Sequence, residues 1–310
     1  MTVSTEHPAP QADCTADADG GIVFDLHLGP GPERPERPER YEDGEAPELL
    51  LRLRGAKDKG GDGTSVRLPL TPLGEGRLRA VLASTVEPAE GRWDVHVRAP
   101  GTDDDGAVAV RPGIRDIRLL MDRTPDTGRI AVRIPYPTAD GRLAVRCWIR
   151  SPHAEAGPVT FDGDAITVEG ALYGTALGDD ARVEARLTGA PDRTCRVPVT
   201  GKEGTFSFTL PLDRLGTGPV TGQQLWTLWL VPGTAGAQEP SERTRTDGKQ
   251  AAGRPAGDVR ISRILDDVWD RRNSFVYPGR SAGEGVRATP CYSGDNDLCV
   301  RIEPDPAQAR

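Results

Sequence analysis

Apolar and polar residues alternate with period two almost from one end of this chain to the other, and few folds can use that pattern. "GIVFDLHL" puts Ile22, Phe24, Leu26 and Leu28 on one face and Val23, Asp25 and His27 on the other. "ELLLRLR", "RWDVHVR", "RIAVRIP", "TFSFTL" and "LWTLWLV" follow the same rule, each bounded by Gly, Pro or Asp. Alternation of this kind marks strands with one face buried. No stretch carries the 3.6-residue period and the start and stop signals of a helix of three turns. At most "TPLGEG" and "PLDRLG" make one helical turn. Short strands with frequent turns fold into antiparallel sandwiches and not into a parallel α/β sheet.

Six segments recur in one order. The first half runs "LLLRLRG", "SVRLPL", "GRLRAVL", "WDVHVRAPG", "VRPGIRDIRLLMDR" and "RIAVRIPYPTADGRLAVR". The second runs "ARVEARLTG", "CRVPVTG", "GTFSFTLPL", "WTLWLVPG", "VRISRILDDVWDR" and "VRATPCYSGDNDLCVR". Trp93 then matches Trp226, and Pro100-Gly101 matches Pro232-Gly233. The sequence therefore predicts an all-β protein of two tandem homologous antiparallel β-sandwich (Ig-like) domains, 21–150 and 157–304, with "SPHAEAGP" as the junction. Residues 1–20 read as a disordered N-terminal tail. The Pro-Glu-Arg tract 29–40 and the insertion 234–258 read as solvated or disordered loops, since neither can bury apolar area.

Composition narrows the function. The 310 residues carry a formal net charge of −8, which gives no electrostatic case for nucleic acid or an anionic lipid surface. Lysine occurs only at 57, 59, 202 and 249, so the basic residues are almost all Arg, as in a high-GC coding sequence. No apolar run approaches the roughly 20 residues of a membrane helix, and no signal peptide is readable at the N-terminus. Five cysteines (14, 147, 195, 291, 299), an odd number without regular spacing, suggest reduced thiols and a cytoplasmic protein.

Four groups of residues could carry chemistry. Asp295, Asn296 and Asp297 cluster hard oxygen ligands that could hold calcium, although Asn and Asp also build tight hairpin turns. The matching turn offers only Asp140, and it differs in length and in acid count. Asp162-Gly163-Asp164 has the DxD form of a metal–nucleotide motif, but no strand–helix alternation surrounds it, and Asp-Gly between strands cues a hairpin. Asp266, beside Asp267 and followed by Arg271 and Arg272, forms the most charged strand-like patch. Adjacent strand residues point to opposite faces, so Asp266 and Asp267 cannot flank one glycosidic bond. Asp266 and Arg271 read instead as an ion pair or a partner contact. Trp229 stands where the first half has His96, and it is the tryptophan best placed for sugar or partner contact, whereas Trp226 shares the core face with Leu228 and Leu230. No GxSxG, GxxxxGK or CxxC is present, and the four histidines lack a nucleophile to serve.

The segments "LLMDR…RIPYPTADGRLAVR" and "LDDVWDR…VYP…CYSGDNDLCVR", with "WDVHVRAPG" and "WTLWLVPG", resemble the β-sandwich accessory modules of Gram-positive cell-wall-polymer glycosyltransferases of the teichoic-acid type. The likeness spans about two-thirds of the chain at the level of strand motifs. It implies a non-catalytic module supporting oligomerisation or polymer binding, and it transfers no site residue. The expectation is thus an interaction module accessory to a glycosyltransferase or cell-surface glycan pathway, binding a protein partner or a glycan, with no cofactor beyond a possible calcium ion. A sugar-active enzyme, glycosyltransferase or hydrolase, working through loop carboxylates is the alternative. A homo-oligomer paired through sheet edges is a third.

Overall fold

A computed structural model describes residues 9–27, 46–55, 64–121, 128–218, 220–233, 257–265 and 275–306. The loop 29–40, most of 234–258, and Asp266 and Arg271 lie outside the described residues. The chain divides into two compact units, residues 1–124 with 131–149 and residues 125–130 with 150–310.

In the first unit, β1 (Gln11–Ala16), β2 (Ile22–His27), β3 (Glu48–Leu53), β4 (Ser65–Pro69), β5 (Thr71–Gly74), β6 (Arg77–Leu82), β7 (Gly91–Arg98), β8 (Val108–Ala109), β9 (Arg111–Asp116), β10 (Ile130–Pro137) and β11 (Leu143–Arg150) form two sheets. One has the order β5-β6-β2-β1-β9 and the other β10-β11-β7-β3-β4, with β8 beside β7. Alternation decides the inward face. Ile22, Phe24 and Leu26 of β2 are buried, as are Trp93 and Val95 of β7, while the residues between them are only partly covered.

The second unit contains β12 (His153–Asp162), β13 (Ala165–Tyr173), β14 (Arg182–Leu187), β15 (Ala190–Pro198), β16 (Thr205–Pro211), β17 (Gln224–Val231), β18 (Val259–Ser262), β19 (Arg280–Ser281), β20 (Val286–Tyr292) and β21 (Leu298–Pro304). Its strands follow β16-β13-β12-β18-β17-β21-β20-β19, with β14 joining β17 to β15. One core lies between the two halves of this path. Ile166, Val168, Phe206 and Phe208 come from one side, and Val183, Ala185, Trp226, Leu228 and Val300 from the other.

The fold is all-β sandwich, and among the described residues each of the six recurring segments contributes a strand, and these strands pair in the same order in each unit. Four details differ from the sequence reading. Gln11–Ala16 is not tail but β1, antiparallel to β2 and parallel to β9. Its inward residues Ala12, Cys14 and Ala16 are buried but small, so the alternation is faint to the eye. "SPHAEAGP" is likewise not a plain junction, because β12 starts at His153 and buries Ala154 and Ala156. The sandwich also holds parallel pairs, β1 with β9 and β12 with β18. In the second unit the four residues of β18 do this by crossing: Val259 and Arg260 pair with β17, and Ile261 and Ser262 with β12. Finally, "TPLGEG" forms β5, and the one helical turn among the described residues longer than a 3-10 turn is α1 (Arg118–Met121).

Candidate functional site

The acidic triplet is a turn. Ser293 N–H donates to the Asp297 carbonyl at 2.9 Å and Asn296 N–H to the Ser293 carbonyl at 3.1 Å, closing a three-residue loop. Asn296 takes the left-handed conformation, φ 60°, that such a loop needs at its last position and that Asn tolerates. The first-unit turn is built alike, with Thr138 N–H donating to Arg142 carbonyl at 2.8 Å and Gly141 at φ 75°. In both, a hydroxyl accepts from the closing amide: Thr138 from Arg142 at 2.9 Å and Ser293 from Asp297 at 3.1 Å. The two turns therefore have equal length, contrary to the sequence reading, and the extra residue of the first hairpin is Pro137, inside β10.

The triplet does not aim three ligands at one point. Asp295 is exposed, whereas Asn296 and Asp297 are buried. Asp297 spends both oxygens inside the fold. Oδ1 accepts from Ser262 Oγ at 2.7 Å and lies 3.5 Å from Arg150, while Oδ2 accepts from Arg260 at 2.8 Å. Two guanidinium groups at a carboxylate repel an incoming cation. Among the described residues no group of three His, Cys, Asp or Glu side chains is placed to hold a metal ion. Asp162 and Asp164 likewise flank a hairpin, Asp162 pairing with Ala165 across a turn that starts at Gly163, φ 56°.

Trp229 lies half-covered on the outer face of β17, between Glu184 of β14 and Arg260 of β18. The guanidiniums of Arg186 and Arg260 each sit 4.9 Å from its ring centre, and its indole N–H donates to Thr227 Oγ1 at 2.9 Å. Glu184 anchors the row. It accepts from Arg182 at 2.9 Å, Arg186 at 2.8 Å and Arg196 at 3.1 Å, and Arg186 also bonds Asp258. Burial pushes the Glu184 carboxyl up, but the hydrogen bonds from these three arginines outweigh it and bring the group down to about 2. The ring faces are thus engaged by cations of the same sheet, an arrangement that stiffens the face.

A second carboxylate that sequence reasoning passed over holds the crossing strand. Glu155 accepts from Ile264 N–H at 2.9 and 3.0 Å and from Leu265 N–H at 2.9 Å, with His153 Nε2 at 2.7 Å. In the first unit Asp13 plays this part, accepting from Ile114 N–H at 2.7 Å with His27 Nε2 at 3.1 Å. Here the close approach demands glycine, because a Cβ on Gly113 would stand 2.1 Å from Asp13 Oδ1.

The surface best suited to engage another molecule was also missed. Phe161 at the end of β12, Phe275 and Tyr277 from the segment before β19, and Tyr292 at the end of β20 meet with ring centres 5.7 to 6.4 Å apart and tilted planes. Arg263 covers Phe275 at 4.0 Å and Arg280 covers Phe161 at 5.1 Å. Val276, between Phe275 and Tyr277, is 84% exposed, the most exposed large apolar side chain among the described residues. The signal was "SFVYP", an aromatic alternation in a stretch too short and too near Pro to read as a strand.

No protein-family model and no curated protein matches this chain. Solved structures similar to it include S. aureus TarS 217–571, with TM-score 0.29 and 17% identity over 65% of this chain and 55% of that one. Another is S. aureus TarS, with TM-score 0.28 and 18% identity over 64% of this chain and 35% of that one. A chimeric titin Z1Z2 matches with TM-score 0.17 and 10% identity, over 75% of this chain and 94% of that one. The chain thus spans about half of the TarS fragment and about a third of TarS. Among the described residues no helix is long and apolar enough to cross a membrane.

Proposed function

We propose that this protein is a non-catalytic interaction module that docks a protein partner through the aromatic–arginine face of its second unit, in the setting of a glycosyltransferase or cell-surface glycan pathway. The cluster of Phe161, Phe275, Tyr277 and Tyr292, with exposed Val276 between two of its members in the chain, carries the reading. Aromatics and arginines dominate the energetic centres of protein interfaces. Stacking of a sugar suits the same rings less well, since Arg263 already occupies the face of Phe275 and Arg280 that of Phe161. Two carboxylates of this unit are engaged within the fold: Asp297, the calcium-ligand candidate, by arginines and Ser262, and Glu184 by three arginines. The pathway setting comes from the strand-motif likeness to accessory modules of teichoic-acid type glycosyltransferases.

The test titrates the full chain against a glycosyltransferase of the teichoic-acid type, read by light scattering, with Val276→Asp as the probe. A complex that weakens at least tenfold in Val276→Asp and is kept in Val81→Asp supports the reading. Val81 is likewise exposed, 51%, but belongs to the first unit. A complex indifferent to Val276→Asp refutes the face. Turnover of a nucleotide sugar that disappears in Asp162→Asn refutes the non-catalytic assignment.

A further inference from the structure

Cys291 of β20 and Cys299 of β21 stand directly opposite each other in the terminal hairpin, and both thiols are free. Proline identifies the kind of pair they make. Pro290 has no N–H, so Pro290 and Val300 cannot exchange two ladder hydrogen bonds, and the exchange falls on their neighbours Cys291 and Cys299. The turn agrees. Ser293 N–H donates to the Asp297 carbonyl, and two residues further along each strand lie the two cysteines. A hydrogen-bonded antiparallel pair holds its Cα atoms about 5.5 Å apart, inside the range of roughly 4.4–6.8 Å that a disulfide spans. The Cβ atoms of such a pair stand wider than the roughly 3.8 Å a disulfide prefers, so the bond would form under strain and reduce readily.

The two thiols have different roles open to them. Cys291 is partly exposed and can meet a small reagent, whereas Cys299 is fully buried, with its S–H donating to the Asp297 carbonyl at 3.4 Å. The first unit has no such pair: next to the matched Tyr136 and Leu143 it carries Pro135 and Ala144.

We propose that Cys291 and Cys299 form a dithiol redox site that closes to a cross-strand disulfide by exchange with a low-molecular-weight disulfide such as oxidised glutathione. The Cys291 thiolate attacks one sulfur of glutathione disulfide, breaking the S–S bond and releasing one glutathione as thiolate. The Cys299 sulfur, its proton lost to solvent, then attacks Cys291 Sγ and releases the second glutathione. Two protein thiols are oxidised, one disulfide is reduced, and the two glutathione thiolates take up the two protons. Burial raises both thiols above the ordinary value, Cys299 to about 12, so the exchange is slow at neutral pH and accelerates as pH rises. The product would staple the hairpin whose second strand seats on β17 and whose turn presents Asp297 to Arg260.

The full chain is incubated with oxidised glutathione in mildly alkaline buffer, alkylated and digested with trypsin. The peptide from Ala288 to Arg301 contains both cysteines. The expected product is that peptide lighter by two hydrogens, resistant to alkylation and restored by dithiothreitol. In Cys299→Ala the reaction should stop at a glutathione adduct on Cys291. Cys195, partly exposed and opposite Ala185, is the internal control and should keep any adduct it gains. Wild-type protein in which both thiols alkylate, or in which the Cys291 adduct persists as it does in Cys299→Ala, overturns the proposal.

Discussion

Replacing Glu155 with alanine removes the acceptor that holds the crossing strand of the second unit. Three donors lose their partner: the amides of Ile264 and Leu265, bonded at 2.9 to 3.0 Å, and His153 Nε2 at 2.7 Å. Ile264 and His153 are fully buried, so no water replaces the carboxylate there, while Leu265 is partly exposed. An orphaned buried donor costs about 1–3 kcal/mol, and two complete losses with one partial loss give about 3–5 kcal/mol. The first unit supplies the control. Asp13→Ala frees the Ile114 amide, but Ile114 is 74% exposed and His27 and Asp13 are themselves well solvated. Water can take over, and the cost falls to about 1 kcal/mol. Urea unfolding measures both variants, and hydrogen exchange at the Ile264 and Leu265 amides locates the effect, which should raise their exchange rates before those of β13. Equal losses in the two variants, or unchanged exchange at Ile264 in Glu155→Ala, would refute the view that this carboxylate fixes the strand.

Gly113→Ala should destabilise the first unit by about 1 kcal/mol, because its Cβ would meet Asp13 Oδ1 at 2.1 Å and turn that solvated carboxylate away from the Ile114 amide; in Asp13→Ala the same glycine substitution should cost less in the same unfolding assay. Glu184 sets a pH dependence. Its carboxyl titrates at about 2 in the folded chain against an ordinary 4.5, so its contribution is complete above about 4.5 and disappears as pH falls toward 2. Glu184→Gln should flatten the stability–pH curve in that window, and an unaltered slope would contradict the assignment. Trp226→Ala, 2% exposed in the core, should cost about 3–5 kcal/mol, against about 1 for Trp229→Ala on the outer face; a reversed order by denaturant midpoint would show that the two faces of β17 were assigned wrongly.

How much of this was readable depends on what period-two alternation can carry. Where the inward residues are large, as with Phe24, Trp93 and Trp226, the strand and its buried face follow from the sequence alone. Where they are Ala and Cys, as in β1 and β12, the same geometry leaves almost no contrast, and both opening strands were passed over as tail and junction. That one weakness hid the rest. Asp13 lies on β1 and Glu155 on β12, so the carboxylates that hold the crossing strands could not be recognised until those strands existed. The parallel pairing was illegible for the same reason, since it needs the first strand as its partner. Asp297 shows a different limit. Its spacing beside Asp295 and Asn296 offers oxygen ligands, but its oxygens are committed by Arg150, Arg260 and Ser262, residues far away in the chain that only the closed sheet brings together. The aromatic face is a convergence of the same sort, built from positions 161, 275, 277 and 292. Local pattern thus reports what a strand buries, whereas the partners of a carboxylate or an aromatic ring are set by topology, and topology here rests on the two strands whose cores are made of the smallest side chains.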